Sequence, residues 1–522
     1  MISSWESGGG SGLKRNKNSS SSHFWEQKTN PYCFHLERIC HGNGTWFYDS
    51  SGTGAFAWTQ HQPTILYDNS WVPDINLPDK VIYFNVSSTS RNKGNAKQCQ
   101  YSPTPYHVVL QSLYNDMLGE FYLKTLRGLH EWMRLYPPRS NDDIKLYVHF
   151  AHTGNKGYGG NLYHGHHLFL GSLPHNNQGE SFLQLVNGET CQCLKKLVFC
   201  GYKVKSYNQT TTDSNQTYEK SFQGVGSIEH ENTTSPCDGQ GMLNGTTCTA
   251  YNNLRHDLLS RYKKKDPMLA NKVRDYRQQT LLQNGFTSDD VGNVDDWKIV
   301  GLTDRKFRRV WLNIDDAVKS CREFVPQKVL CTKVDVEAAD SLETQLLMHM
   351  SLDVFVGVHG SQFTNAVLLP DKSFILELLP WQPKLWDFFQ KWTKWTSRPT
   401  PMGEIFHNTQ LNHLGYRLGK ESLPLCEHLS LETEEEIQAC LSHLRNTGKE
   451  EAKLYFSHRD FNVNPGIITK FISTFLLQNN TQCEHMHTRA QQTGFVIYNA
   501  YCYNDTDQGG YRAAHYFEKD DE

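Results

Sequence analysis

Between Lys298 and Leu379 the chain repeats a pattern that few folds can satisfy. Lys298 to Leu302, Lys328 to Val336, Val354 to Val358 and Phe374 to Leu379 are short segments dominated by apolar residues. All four read as strands, and the Val354 and Phe374 runs as strands buried on both faces. Helical segments lie between them. Asn313 can cap one whose first turn carries Asp315 and Asp316, and Ser341 opens another over Leu342 to Met350. Strand and helix in alternation require right-handed crossovers and a parallel sheet, so the class is α/β.

At 522 residues the chain exceeds what one core serves, and a second lobe is expected. Residues 1–30 are Ser/Gly/Asn-rich and read as a disordered leader without a signal-peptide apolar core. Residues 31–275 form the expected N-terminal, acceptor-side lobe, with a polar insertion near 205–250. It begins with a β-rich extension holding Trp46 to Tyr48, Thr64 to Tyr67 and Val81 to Phe84. Tyr106 to Leu135, with Leu113, Met117, Phe121 and Leu126, suits one or two helices ending before Pro137. Lys145 to Phe150 and Leu194 to Val204 read as strands, and Leu254 to Leu282 as a charged helical region between lobes. Residues 276–475 form the C-terminal lobe, and 476–522 are a C-terminal extension without a functional reading.

Cysteine usage bears on compartment. Fourteen cysteines spread along the chain, without a Cys-x-x-Cys pair, fit disulfides better than zinc. Asn-x-Ser/Thr acceptors begin at Asn18, Asn43, Asn85, Asn208, Asn215, Asn232, Asn244, Asn479 and Asn504, four of them crowded between 208 and 244. The expectation is a secretory-pathway lumen, Golgi or endoplasmic reticulum, against the blander reading of Asn-rich loops in a cytosolic protein. No apolar run approaches ~20 residues, so membrane association would need a segment absent from this sequence. With 52 basic and 55 acidic residues, a net charge of -3 and no basic tail, no nucleic-acid partner is expected.

In an open parallel sheet, ligands sit beyond the carboxyl ends of the strands. Three features converge there. His359-Gly360-Ser361 follows a strand directly, and a side-chain-free Gly lets backbone amides approach an anion. Arg305, Arg308 and Arg309 follow the Lys298 strand, and guanidinium groups bind phosphate bidentately. Glu377 lies near its strand's end, where a carboxylate can accept from two ribose hydroxyls. Together they describe a nucleotide-diphosphate site. Each also has a plainer reading: a satisfied turn histidine, a solvated basic loop, and a carboxylate facing a partner charge. The His149 to His167 stretch reads as a Gly/His surface loop rather than a metal site. Trp381, Trp386, Trp392 and Trp395 read as lobe packing rather than a sugar platform.

Gly357 to Asn365, followed by Leu368-Leu369-Pro370 and Ile375 to Pro380, resembles the C-terminal signature of glycosyltransferase family 61. Weaker matches lie in order at Thr104 to His107, Cys193 to Gly201, Leu302 to Asn313, Leu414 to Tyr416 and Tyr455 to Phe471, so the likeness covers roughly 80–475. The resemblance implies a GT-B fold, two Rossmann-like lobes facing a cleft. It also implies inverting, metal-independent transfer from a UDP-sugar, UDP-xylose or UDP-GlcNAc, to a glycan or glycoprotein hydroxyl. No cofactor is expected beyond that co-substrate. It places Arg305, Arg308, Arg309, His359, Gly360, Ser361, Thr364 and Asn365 on the donor and keeps Glu377 on the ribose. Inversion needs a general base for the acceptor proton; His107 is the candidate, the plainer reading being that it hydrogen-bonds the diphosphate or packs beneath it. The chain departs from the family with Ser361 and Gln362 where Ala and Gly are usual, and with Gln111 where many members carry Asp. These departures motivate the alternative, a catalytically silent homologue that binds glycan or nucleotide-sugar.

Overall fold

The structure is a computed structural model. It describes residues 33–42, 45–48, 61–66, 81–83, 86–87, 99–112, 143–150, 180–181, 191–201 and 204–208, then 249–306, 309–336, 338–339, 341–381, 405–406, 409–423, 432–433, 435–436, 439, 460–478, 483–504 and 507–515. The expected leader, the helical run 113–135, His152 to His167, most of the polar insertion, Arg308, Trp386, Trp392 and Trp395 lie outside the described residues.

The fold is α/β with two mostly parallel sheets. In the N-terminal half, β1 (Cys33–Gly42), β2 (Thr45–Tyr48), β5 (Val86–Ser87), β6 (Gln100–Tyr101), β7 (Tyr106–Ser112), β8 (Ile144–Phe150), β9 (Glu180–Ser181) and β10 (Gln192–Gly201) form one sheet. Its order is β5-β2-β1-β10-β7-β8-β9, with β6 beside β10. β6, β7, β8, β9 and β10 pair in parallel, and β1 joins β10 antiparallel. Tyr106–Ser112 is therefore a central strand, not the start of the expected helix. Val108 and Val109 are fully buried there, and two adjacent buried β-branched residues suit a pleat covered on both faces. A separate small sheet pairs β3 (His61–Leu66) with β4 (Val81–Tyr83) and with β11 (Val204–Asn208), which opens the expected insertion.

The C-terminal sheet contains β12 (Lys298–Thr303), β13 (Val329–Val334), β14 (Val354–Val358), β15 (Phe374–Leu379), β16 (Asn412–Arg417), β17 (Val496–Asn504) and β18 (Asp507–His515). Its order is β13-β12-β14-β15-β16-β17-β18, parallel through β16 and antiparallel beyond. The four apolar runs read from the sequence are β12 to β15, and all five residues of β14 are buried. Residues 476–522, set apart in sequence, contribute β17 and β18 to this sheet.

Alternation along each strand sorts the two faces. Val300, Leu302, Val354, Val356, Leu376 and Leu378 pack with Ile314 and Ala317 and with helix Pro465–Phe471. Ile299, Phe355 and Ile375 pack on the opposite side with Leu346 and Met348 of helix Leu342–Met350. That second cluster also takes in Leu254 and Leu258 of helix Thr249–Lys265 and Val108, Leu146 and Val198 of the first sheet. Full burial of one such side chain contributes about 1.5–3 kcal/mol.

Ser341 caps its helix as the sequence predicts, accepting from the Thr344 amide. Asn313 does not cap with its side chain. Its amide oxygen accepts from Val463 N–H and Trp311 Nε1, and its NH2 donates to the Val463 carbonyl. A partner 150 residues away outcompetes the local cap.

Disulfides join Cys40 to Cys193, Cys99 to Cys191 and Cys321 to Cys331. Three such bonds fit an oxidising compartment. Among the described residues no helix is long and apolar enough to cross a membrane, and no group of three or more His, Cys, Asp or Glu is placed to hold a metal ion.

Candidate functional site

The site lies at the carboxyl edge of the C-terminal sheet. β14 ends at Val358, and His359 N–H continues its pairing by donating to the Leu378 carbonyl at 2.9 Å. Gly360 then turns the chain into a 3-10 helix, Ser361–Leu368, whose Phe363 N–H donates to the Gly360 carbonyl. The loop after β12 lies over this turn. Arg309, in the left-handed region at φ 57°, donates through Nη1 to the His359 carbonyl.

Gly360 has no room for a side chain. A Cβ there would meet Arg309 Nη1 at 2.5 Å and Arg305 Nη1 at 3.0 Å. Two guanidinium groups thus crowd one bare Cα beside the turn. Gly357 is tight for the same reason, since a Cβ would collide with the Thr303 hydroxyl on β12. Arg305, Arg309, His359 and Gly360, picked out separately in the sequence, meet here. Thr364 and Asn365 sit on the 3-10 helix, 0% and 3% exposed, so their side chains lie beneath the turn. Among the described residues, Thr364 Oγ1 and Asn365 Oδ1 have no hydrogen-bond partner. Ser361 is the first residue of that helix, and Arg308 lies outside the described residues.

Glu377 departs from its expected ribose role. Its side chain is fully buried, and Oε1 accepts from His359 Nδ1 while Oε2 accepts from His413 Nε2 at 2.9 Å. Burial alone would raise its pKa. Electrostatic attraction to His359 and His413 and the hydrogen bonds from both imidazoles outweigh burial and bring it down to about 2. An ionised carboxylate only accepts, so His359 carries its proton on Nδ1 and His413 on Nε2. The rings of Phe406 and Tyr498 flank His413 at 5.0 Å each. This is the plainer alternative the sequence left open, a carboxylate facing partner charges. His413 was missed because only the pairing of β15 with β16 brings it beside Glu377.

His107, the expected base, is 1% exposed in β7. Its Nε2 is 2.8 Å from Ser102 Oγ, its Nδ1 is 3.1 Å from Tyr147 Oη, and its ring stacks on Tyr147. Burial, aided by the Lys145 charge, lowers its pKa to about 4. It is neutral near pH 7, as a base must be, but both nitrogens are engaged.

A cavity of about 220 Å³ opens near the same edge, lined by Asn313, Leu418, Glu421, Ser422, Asn462 and Val463 among others. No protein-family model matches this chain, and no curated protein matches it either.

Proposed function

We propose that this chain is an inverting glycosyltransferase that moves a sugar, xylose or GlcNAc, from a UDP-sugar to a glycan or glycoprotein hydroxyl. The two sheets would be the lobes of a GT-B arrangement, acting in the lumen of the Golgi or endoplasmic reticulum. One observation carries the reading: Arg305 and Arg309 converge on the bare Cα of Gly360 at the carboxyl edge of a parallel sheet. Two fixed cations beside a glycine turn suit a diphosphate, whose charge they offset as the leaving group departs.

In the reaction, the acceptor oxygen bonds to C1 of the sugar and gives its proton to a general base. The C1–O bond to the β-phosphate breaks, and its electron pair leaves with UDP. Arg305, Arg309 and the Gly360 backbone hold that phosphate, and His359 presents its ring from the same turn. His107 takes the base role only if its contact with Ser102 or Tyr147 opens. That engaged ring, with Gln111 on the same strand, favours a second reading as a silent binding homologue.

The test is UDP release from UDP-xylose and UDP-GlcNAc with and without a mixed glycan acceptor. Acceptor-dependent release is the expected result, and donor binding without release supports the silent homologue. Arg309→Ala should weaken UDP binding tenfold or more, from loss of a charged hydrogen bond of about 1.5–3 kcal/mol. Unchanged UDP affinity in that variant removes the assignment.

A further inference from the structure

The expected ribose carboxylate, Glu377, is committed to two imidazoles, which leaves the nucleoside of the donor without a site. The cavity beside Ser422 has the features of one. Ser422 is 3% exposed, and among the described residues its Oγ has no hydrogen-bond partner. That hydroxyl is closed off within the cavity wall, so Ser422 contributes the shape of the wall, and a larger side chain there would fill the space. Leu418 and Val463 supply apolar wall, and Asn462 supplies an amide. Glu421, exposed on the short helix Lys420–Ser422, puts a carboxylate among the lining residues.

The spacing also fits. His359 N–H bonds to Leu378 O on β15, and Leu418 N–H bonds to Leu379 O, so the Gly360 turn and the cavity are two strand positions apart. Adjacent strands lie about 4.8 Å apart, which puts them ~10 Å from each other along the edge. A ribose bridges a base and a diphosphate over such a distance. The chain itself makes the same crossing: from Arg309 it runs through Val310, whose carbonyl accepts from Phe461 N–H, to Asn313 on the cavity wall.

We propose that this cavity holds the pyrimidine nucleoside of the diphosphate donor, with Asn462 on the base, Ser422 in the wall against it and Glu421 on the ribose hydroxyls. The assignment rests on the donor reading above, and the test separates the two. Calorimetry on the full chain compares UDP, 2′-deoxy-UDP, GDP and inorganic pyrophosphate, for wild type, Ser422→Leu and Glu421→Gln. For wild type, UDP is expected to bind at least tenfold tighter than pyrophosphate, 2′-deoxy-UDP or GDP. Ser422→Leu, which fills the cavity, should weaken UDP tenfold or more and leave pyrophosphate unchanged. Glu421→Gln should bring UDP and 2′-deoxy-UDP to similar affinities. Thermal melting checks that each variant folds, and Asn462→Leu stands in for Ser422→Leu should that one not fold. UDP binding no tighter than pyrophosphate, or unaffected by filling the cavity, overturns the nucleoside site while the diphosphate cradle stands. GDP binding as tightly as UDP overturns the pyrimidine assignment. Absence of binding by all four ligands defeats the donor reading itself.

Discussion

Glu377 joins three strands through its two oxygens: His359 at the end of β14, its own backbone in β15, and His413 in β16. A carboxylate with no exposed surface survives ionised only because both oxygens are satisfied by N–H donors. This also fixes which nitrogen of His359 holds the proton, and therefore which edge of the ring Glu377 does not use. Tyr498 closes the back of the arrangement, its ring lying where a side chain on Gly415 would have to go. Glu377→Gln keeps the volume and removes the charge. It should cost about 3–5 kcal/mol in urea unfolding, the range for breaking one partner of a buried pair. It should also disturb the Nδ1–H form of His359, read from imidazole 15N shifts. A Glu377→Gln protein as stable as wild type, with His359 shifts unmoved, would show that the carboxylate neither supports the sheet nor orients the ring.

At the scale of elements, Arg277 clamps the edge opposite the site. Arg277, on helix Leu269–Gln283, donates to the carbonyls of Ser351 and Trp297 at 2.6 and 2.5 Å and pairs with Asp353 at 3.0 Å. Trp297 and Asp353 immediately precede β12 and β14, so this clamp sits at the amino ends of the strands, a full strand length from Gly360. Arg277→Met should lower stability by about 3 kcal/mol, the low end for a broken pair because Asp353 keeps some contact with water. UDP affinity should not change, and a titration on the folded variant checks this. A loss of UDP binding would mean that the two edges are coupled. The contrast between the edges also marks what the sequence could reveal. β14 was legible because burial on both faces leaves an unbroken apolar run, its neighbours because theirs are broken by few polar residues, and the Ser341 cap because its partner is three residues away. The meeting of Arg305, Arg309 and Gly360 followed once parallel order placed both loops on one edge. Asn313, His413 and the addition of β17 were not legible, since each depends on pairing with residues 36 to 150 positions distant, which leaves no local pattern. Tyr106–Ser112 was misread because seven strand residues run straight into leucines at helical spacing.

For the whole molecule, the buried histidines set how stability responds to acid. His107 in the first sheet and His349 on helix Leu342–Met350 are both held near pKa 4 by burial, the Lys145 charge assisting at His107. In the unfolded chain each titrates near 6.5. Between about pH 6.5 and 4 the unfolded state therefore binds more protons than the folded one, and stability falls as pH falls. Each group contributes a slope of at most about 1.4 kcal/mol per pH unit across that window, and the loss levels off below pH 4. Glu377 acts lower on the scale. Its depressed pKa adds stability that is whole above about pH 4.3 and is lost as pH falls towards 2. Urea unfolding at half-unit steps from pH 7.5 to 4.5 should show a flat plateau above 6.5 and a decline below it. Among the described residues His349 Nδ1 bonds only the Gln345 carbonyl one turn back, so His349→Leu removes a titrating group with little other change at that position. The variant should lose part of the slope, leaving what belongs to His107 and to buried His41, whose pKa burial also lowers. Stability that stays level from pH 7.5 to 4.5 in the wild-type protein would mean that neither ring is shielded from protons as its burial requires.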